Sequence, residues 1–169
     1  MKIAFLDRDG TIINTYPDLE WARVKEPVFL DGSIEALKKI QHSGYKIIII
    51  TNQYLINDGI ISLKEYHEFS AKIEQELSNH GIEILKIYFC PHNDGDDCSC
   101  KKPKPGMIKQ AIVDYPDIDL DNSFLVGDSA VDIELAREFN LKAYGINVKS
   151  NYQNSKSVKS LLEAADIQI

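Results

Sequence analysis

Four isoleucines in a row, Ile47 to Ile50, constrain this chain more than any other feature. A strand sends alternate side chains to opposite faces, so a run with no polar member must be covered on both sides. The runs Ile3–Leu6, Tyr45–Thr51, Ile84–Cys90, Ser123–Gly127 and Lys142–Ile146 share this apolar character. Amphipathic stretches separate them. One opens at Asp31-Gly32-Ser33, carries Ile34, Leu37 and Ile40 on one face and stops at Gly44. A second starts at the capping box Ser62-Leu63-Lys64-Glu65, carries Tyr66, Phe69, Ile73 and Leu77, and ends at Gly81. Shorter ones follow Pro105-Gly106, surround Val131, Leu135 and Phe139, and span Val158–Ala165. Buried strands alternating with helices predict an α/β fold, a doubly wound, Rossmann-like parallel sheet with helices on both faces. A length of 169 residues fits one domain, 1–169, with no large cap and with residues 90–104 as an insert within it.

Ligands of such sheets sit at the carboxyl ends of the strands, and the polar clusters fall there. The first strand ends in Asp7-Arg8-Asp9-Gly10-Thr11, the second in Thr51-Asn52-Gln53, the fourth in Gly127-Asp128-Ser129. Asp7 and Asp9 lie two apart on an extended segment, so both carboxylates project to one side. Two like charges that close call for a shared cation, and hard oxygen ligands suit Mg2+. Asp128 supplies a third carboxylate from another strand end.

Phosphate-monoester hydrolysis uses such a set. One carboxylate attacks phosphorus and forms an aspartyl-phosphate; a second carboxyl group protonates the leaving oxygen and later takes a proton from water. A metal and a lysine neutralise the charge on the transferred group. The hydroxyl of Thr51 and the backbone N–H of Asn52 are candidates to hold phosphate oxygens, and Lys102, next to Pro103, is the candidate lysine.

All three cysteines fall between positions 90 and 100, as Cys90-x-His92, five residues, then Cys98-x-Cys100. Random placement would cluster them so about 1% of the time, and the spacing therefore carries information. Three thiolates and an imidazole make a closed tetrahedral Zn2+ site with no open position for chemistry. The acidic loop Asn93–Asp97 has no apolar residue to pack, so a metal supplies the order it lacks.

In this order the motifs resemble the haloacid dehalogenase superfamily of phosphatases over nearly the whole chain. The resemblance makes Asp7 the nucleophile and Asp9 the acid/base. It gives Mg2+ the side chains of Asp7 and Asp128 and the backbone carbonyl of Asp9, with Asp132 reached through water or hydrogen bonds. The run Cys-Pro-His to Cys-x-Cys-Lys-Lys-Pro is similar to the subgroup of D-glycero-D-manno-heptose 1,7-bisphosphate 7-phosphatases and histidinol-phosphate phosphatases. In that subgroup the loop binds structural zinc beside the active site, which would present Lys101 and Lys102 to the phosphate. Lys102-Pro103-Lys104-Pro105-Gly106-Met107 is nearer the heptose type, and the five-residue spacer nearer the histidinol type. Three positions depart from the subgroup pattern: Ser129 replaces a basic residue, Lys101 an arginine, and Asp58 follows Asn57 where the pattern has an arginine. Each lowers positive charge or, at Lys101, the capacity for a bidentate phosphate fork near the pocket. The expected activity is thus the heptose bisphosphatase, with histidinol phosphate or another small sugar monophosphate as the alternative substrate.

Rival classes fit less well. A phospho-receiver module carries its phosphorylated Asp after the third strand, where this chain has Cys90. A zinc-dependent nucleic-acid module conflicts with a net charge of −7 and no basic stripe, and an acidic chain is equally poorly suited to an anionic membrane. A pseudo-enzyme would not need all five of Asp7, Asp9, Thr51, Lys102 and Asp128. The chain shows no signal peptide or membrane span, and its expected setting is the cytoplasm, as a monomer acting on a small phosphorylated metabolite.

Overall fold

The computed structural model describes residues 1–169. Six strands, β1 (Ile3–Leu6), β2 (Lys46–Asn52), β3 (Ile84–Cys90), β4 (Phe124–Gly127), β5 (Lys142–Ile146) and β6 (Ser155–Val158), form one parallel sheet in the order β3-β2-β1-β4-β5-β6. The chain winds outward from β1 to β3, then returns to β1's other edge and winds outward again. The reversal between β1 and β4 is the topological switch point at which such sheets bind ligands.

The isoleucine run explains the layering. Ile47 and Ile49 join the core on one face, and Ile48 and Ile50 the core on the other. The first core is closed by α1 (Ser33–His42), α2 (Leu63–Asn79) and α5 (Leu161–Gln168) through Leu37, Ile40, Phe69, Ile73, Leu77 and Leu161. The second is closed by α3 (Gly106–Asp114) and α4 (Ala130–Glu138) through Ile108, Ala111, Ile133, Leu135 and Ala136. Both bonds of the Ser62/Glu65 capping box form at the start of α2, at 3.1 and 2.8 Å. No helix is long and apolar enough to cross a membrane, and no separate cap domain stands over the carboxyl edge of the sheet.

The sequence also reads Asn14–Leu30 as an irregular loop, and two local readings change. β6 replaces what the pattern reads as loop and helix start: Val158 ends a strand, and α5 begins at Leu161 behind Ser160, whose hydroxyl accepts from the amide of Glu163. Ser-Lys-Ser-Val is short and mostly polar because it is an edge strand, where charge is tolerated and pattern is weak. The stretch Asn14–Leu30 is not wholly irregular. Asn14 pairs with Val28 and Leu30 with Ile12 through backbone hydrogen bonds, and a 3-10 helix (Asp18–Arg23) fills the excursion. Trp21 anchors it, buried edge-on between Tyr16 and Phe69 at 5.1 and 5.9 Å.

Candidate active site

β1 and β4 run side by side with Leu6 opposite Val126, and the amide of Asp7 donates to the Val126 carbonyl. This pairing brings Asp7 and Asp128 together at the switch point. The chain then turns sharply at Gly10, whose φ is +84°. A Cβ there would overlap the Asp128 carboxylate, and one on Gly127 would overlap Asp132, so both glycines let carboxylates approach the backbone. Asp7, Asp128 and Asp132 place one oxygen each within 4.8 Å of one another.

Lys102 enters this cluster from the loop after β3. Its ammonium group donates to Asp7 Oδ1 (2.7 Å), Asp132 Oδ1 (2.7 Å) and the Ile50 carbonyl (3.0 Å), which uses all three of its protons. Burial works against the ammonium, but Asp7 and Asp132 outweigh it, and its pKa lies above the ordinary lysine value. Burial, opposed by Lys102 and reinforced by Asp132, Asp9 and Asp128, lifts the Asp7 carboxyl from 3.8 to about 8 in all. Burial and the neighbouring Asp132 raise Asp128 as well. One ammonium thus leaves the three carboxylates short of positive charge, a deficit that fits a divalent cation.

The second strand end arranges its residues in an unexpected way. Asn52 holds the Lys102 backbone: its Oδ1 accepts from the Lys102 amide at 2.9 Å and its Nδ2 donates to the Lys102 carbonyl at 3.3 Å. Thr51 is buried, and its Oγ1 accepts from Gln53 Nε2 at 2.9 Å, so its own proton remains for a ligand. Gln53 also donates to Asp9 Oδ2 at 2.8 Å. These groups line a cavity of about 270 Å³ that opens past Tyr54 and Ser129. Tyr54 donates to Asp18 Oδ1 at 2.9 Å, and burial with this bond pushes its hydroxyl up to about 12.

Of the residues singled out by sequence, Asp7, Asp9, Thr51, Asn52, Lys102 and Asp128 converge on this cavity. Lys101 does not. Its ammonium pairs with Asp94 at 2.6 Å and lies 4.9 Å over the Tyr54 ring, on the loop side of the wall. Gln53 and Arg8 both bond the Asp9 carboxylate, contacts that motif reading passes over although both residues sit inside the quoted motifs. A larger recess of about 490 Å³ lies between the 3-10 helix and α2, beside Arg8; its walls mix Trp21, Ile61 and Phe69 with Lys25, Glu65, Glu68 and Lys72, and no carboxylate of the cluster lines it.

The cysteine loop gathers as its spacing predicts. Cys90 Sγ lies 3.3 Å from His92 Nδ1, 3.8 Å from Cys98 Sγ and 2.8 Å from Cys100 Sγ, and His92 Nδ1 lies 3.2 Å from Cys100 Sγ. Tetrahedral Zn–S bonds of ~2.3 Å put sulfurs ~3.8 Å apart, close to the longer of these separations. No cysteine is in a disulfide. Burial raises the Cys90 thiol above its ordinary value, and a metal would reverse that by holding the thiolate.

The family described as polynucleotide kinase 3 phosphatase matches residues 2–166. A protein of Thermoplasma volcanium described as a probable D-glycero-D-manno-heptose-1,7-bisphosphate 7-phosphatase is 36% identical over 143 residues, 83% of this chain and 95% of its own. The D-glycero-alpha-D-manno-heptose-1,7-bisphosphate 7-phosphatase of Photorhabdus laumondii is 43% identical over 140 residues, 79% of this chain and 75% of its own. The chain belongs to the family described as polynucleotide kinase 3 phosphatase. A solved structure agrees. The D,D-heptose 1,7-bisphosphate phosphatase of B. bronchiseptica, complexed with magnesium and phosphate, superimposes with a TM-score of 0.87 at 25% identity, covering 99% of this chain and 97% of the other. The chain is accordingly an enzyme of the phosphatase class, a hydrolase of phosphate esters.

Proposed function

We propose that this phosphatase removes the 7-phosphate of D-glycero-D-manno-heptose 1,7-bisphosphate by phosphoryl transfer to Asp7. The observation that carries the reading is the Asp7–Asp128–Asp132 cluster bridged by Lys102 at the switch point, in a chain 36–43% identical to proteins named for that reaction.

Asp7 and Asp128, with the backbone carbonyl of Asp9, would hold Mg2+, which when bound lowers the repulsion between an anionic nucleophile and an anionic substrate. Asp7 attacks phosphorus; a P–O bond to Asp7 forms and the ester P–O bond breaks. Asp9 gives its proton to the departing alkoxide. Asp9 then takes a proton from water as that water attacks phosphorus, and cleavage of the P–O bond to Asp7 returns its carboxylate and releases phosphate. Thr51 donates its free hydroxyl proton to a phosphate oxygen. Lys102 orients Asp7 and offsets its charge, while Asn52 fixes the Lys102 backbone. Cys90, His92, Cys98 and Cys100 would hold Zn2+ as a structural ion beside the exit of β3. Every group comes from one chain, so a monomer suffices; the free thiols and acidic charge suit the cytoplasm and no nucleic-acid partner.

One observation favours a second reading. The protons of Lys102 are committed, Lys101 is turned toward Asp94 and Ser129 is neutral, so no free cation faces a second phosphate. A monophosphate, histidinol phosphate or a sugar phosphate, matches that wall. The named relatives include both anomers of the heptose bisphosphate. The test is kcat/KM for both anomers, histidinol phosphate and sugar monophosphates, with Mg2+ or a chelator and with Asp7→Asn as control. Preference for a heptose bisphosphate, lost in Asp7→Asn, supports the first reading. Preference for a monophosphate supports the second, and Asp7→Asn with near-full activity overturns both.

A further inference from the structure

Arg8 lies between the two aspartates in sequence, yet it does not line the carboxylate cavity that they share. Its side chain is 2% exposed, against 21% for Asp9. The guanidinium carbon sits 5.9, 5.6 and 5.4 Å from the rings of Trp21, Tyr66 and Phe69. Neighbours on a straight strand point to opposite faces. Here the turn after β1 brings them together: the Arg8 carbonyl accepts from the amides of Thr11, Ile12 and Ile13. Arg8 Nε then donates to Asp9 Oδ1 at 2.7 Å and Nη2 to Oδ2 at 3.0 Å, a bidentate fork. Nη1 is buried without a partner. A cation in an aromatic cage with an unpaired N–H is an expensive core residue, and the fork is the contact it provides in return.

Gln53 adds a third donor on Asp9 Oδ2 and ties it to Thr51. A carboxylate offers about four lone-pair sites; three are filled, and the open one is on Oδ1. From this geometry we propose that Arg8 is a positioning residue for proton transfer: its caged fork fixes the Asp9 carboxyl so that Oδ1 alone carries the proton exchanged with the leaving group and with water. This rests on the reading of Asp9 as the acid and base.

The readout is leaving-group dependence, which a general structural defect does not alter. An alkyl sugar phosphate needs a proton at its leaving oxygen, whereas 4-nitrophenyl phosphate releases 4-nitrophenolate, an anion stable without one. Arg8→Lys keeps the charge and loses the fork; Arg8→Met loses both. With folding checked by circular dichroism, both should lower kcat/KM for the sugar phosphate roughly 10²-fold and for the aryl phosphate at least about tenfold less, as Asp9→Asn should do more strongly. A discriminating Asp9→Asn beside an Arg8→Lys that loses equally on both substrates overturns the role of Arg8 alone. An Asp9→Asn that does not discriminate overturns the acid assignment and this inference with it. Failure of both Arg8 variants to fold makes Arg8 a structural residue and overturns the proposal.

Discussion

Lys102 shows how much one buried side chain can organise. Its three bonds draw Asp7, Asp132 and the β2 carbonyl of Ile50 to one point, 95, 30 and 52 residues away along the chain. That arrangement still leaves the carboxylates under-neutralised, and the imbalance has a measurable consequence. The Asp7 pKa rises from 3.8 to about 8 on folding. An acid whose pKa rises binds more protons folded than unfolded, so its contribution to stability is present below about pH 4 and is lost as pH climbs toward 8. The metal-free protein should therefore lose stability over that window. Mg2+ competes with the protons, so it should raise the melting temperature more at pH 8 than at pH 5. Thermal denaturation with chelator or with Mg2+ checks this, and an equal shift at both pH values would refute the charge-deficit account. Arg8 and Gln53 belong to the same scale. Their residue types were visible in the motifs, but their roles depend on a turn that makes sequence neighbours into a fork.

At the scale of elements, the loop from Pro91 to Lys104 stands out. It has no regular secondary structure and few apolar side chains, yet it delivers Lys102 to within 2.7 Å of the nucleophile candidate. Four ligand-type residues at its two ends, Cys90 and His92 then Cys98 and Cys100, are what can hold it. Cys98→Ser should leave the protein with well under one equivalent of zinc by elemental analysis and a lower melting temperature. Activity should fall by displacement of Lys102, in proportion to zinc lost, since none of the four residues lines the carboxylate cavity. Retained zinc with unchanged stability would exclude the metal site. The start of α2 offers a smaller test. Ser62→Ala removes the acceptor for the Glu65 amide and should cost about 1 kcal/mol in urea denaturation. Sequence exposed this cap and the zinc spacing because both are local patterns. It concealed β6 and the 3-10 helix, because a polar edge strand and a short excursion have no periodicity strong enough to show.

Across the whole molecule, two cores share one sheet, and a central residue such as Ile48 is buried without remainder. Ile48→Ala should destabilise by about 2–5 kcal/mol, read as an earlier urea midpoint of a single cooperative transition; a loss under ~1 kcal/mol would mean that the second core is loosely packed. The same sheet sets the place of the site, because the winding reverses between β1 and β4 and leaves a crevice at their carboxyl ends. The fold class and the groups that line the carboxylate cavity were legible in the sequence: burial on two faces imposes continuous apolar strands, and phosphoryl and metal chemistry demand particular side chains at the strand ends. Tertiary structure alone decided the rest. It turned Lys102 toward Asp7 and Asp132 and Lys101 toward Asp94, though the two lysines are adjacent and chemically identical. It also made the Asn52 side chain a latch on the Lys102 backbone. The Lys102 contacts join groups 30 to 95 residues apart along the chain, and a linear pattern of side-chain types carries no record of which of them meet.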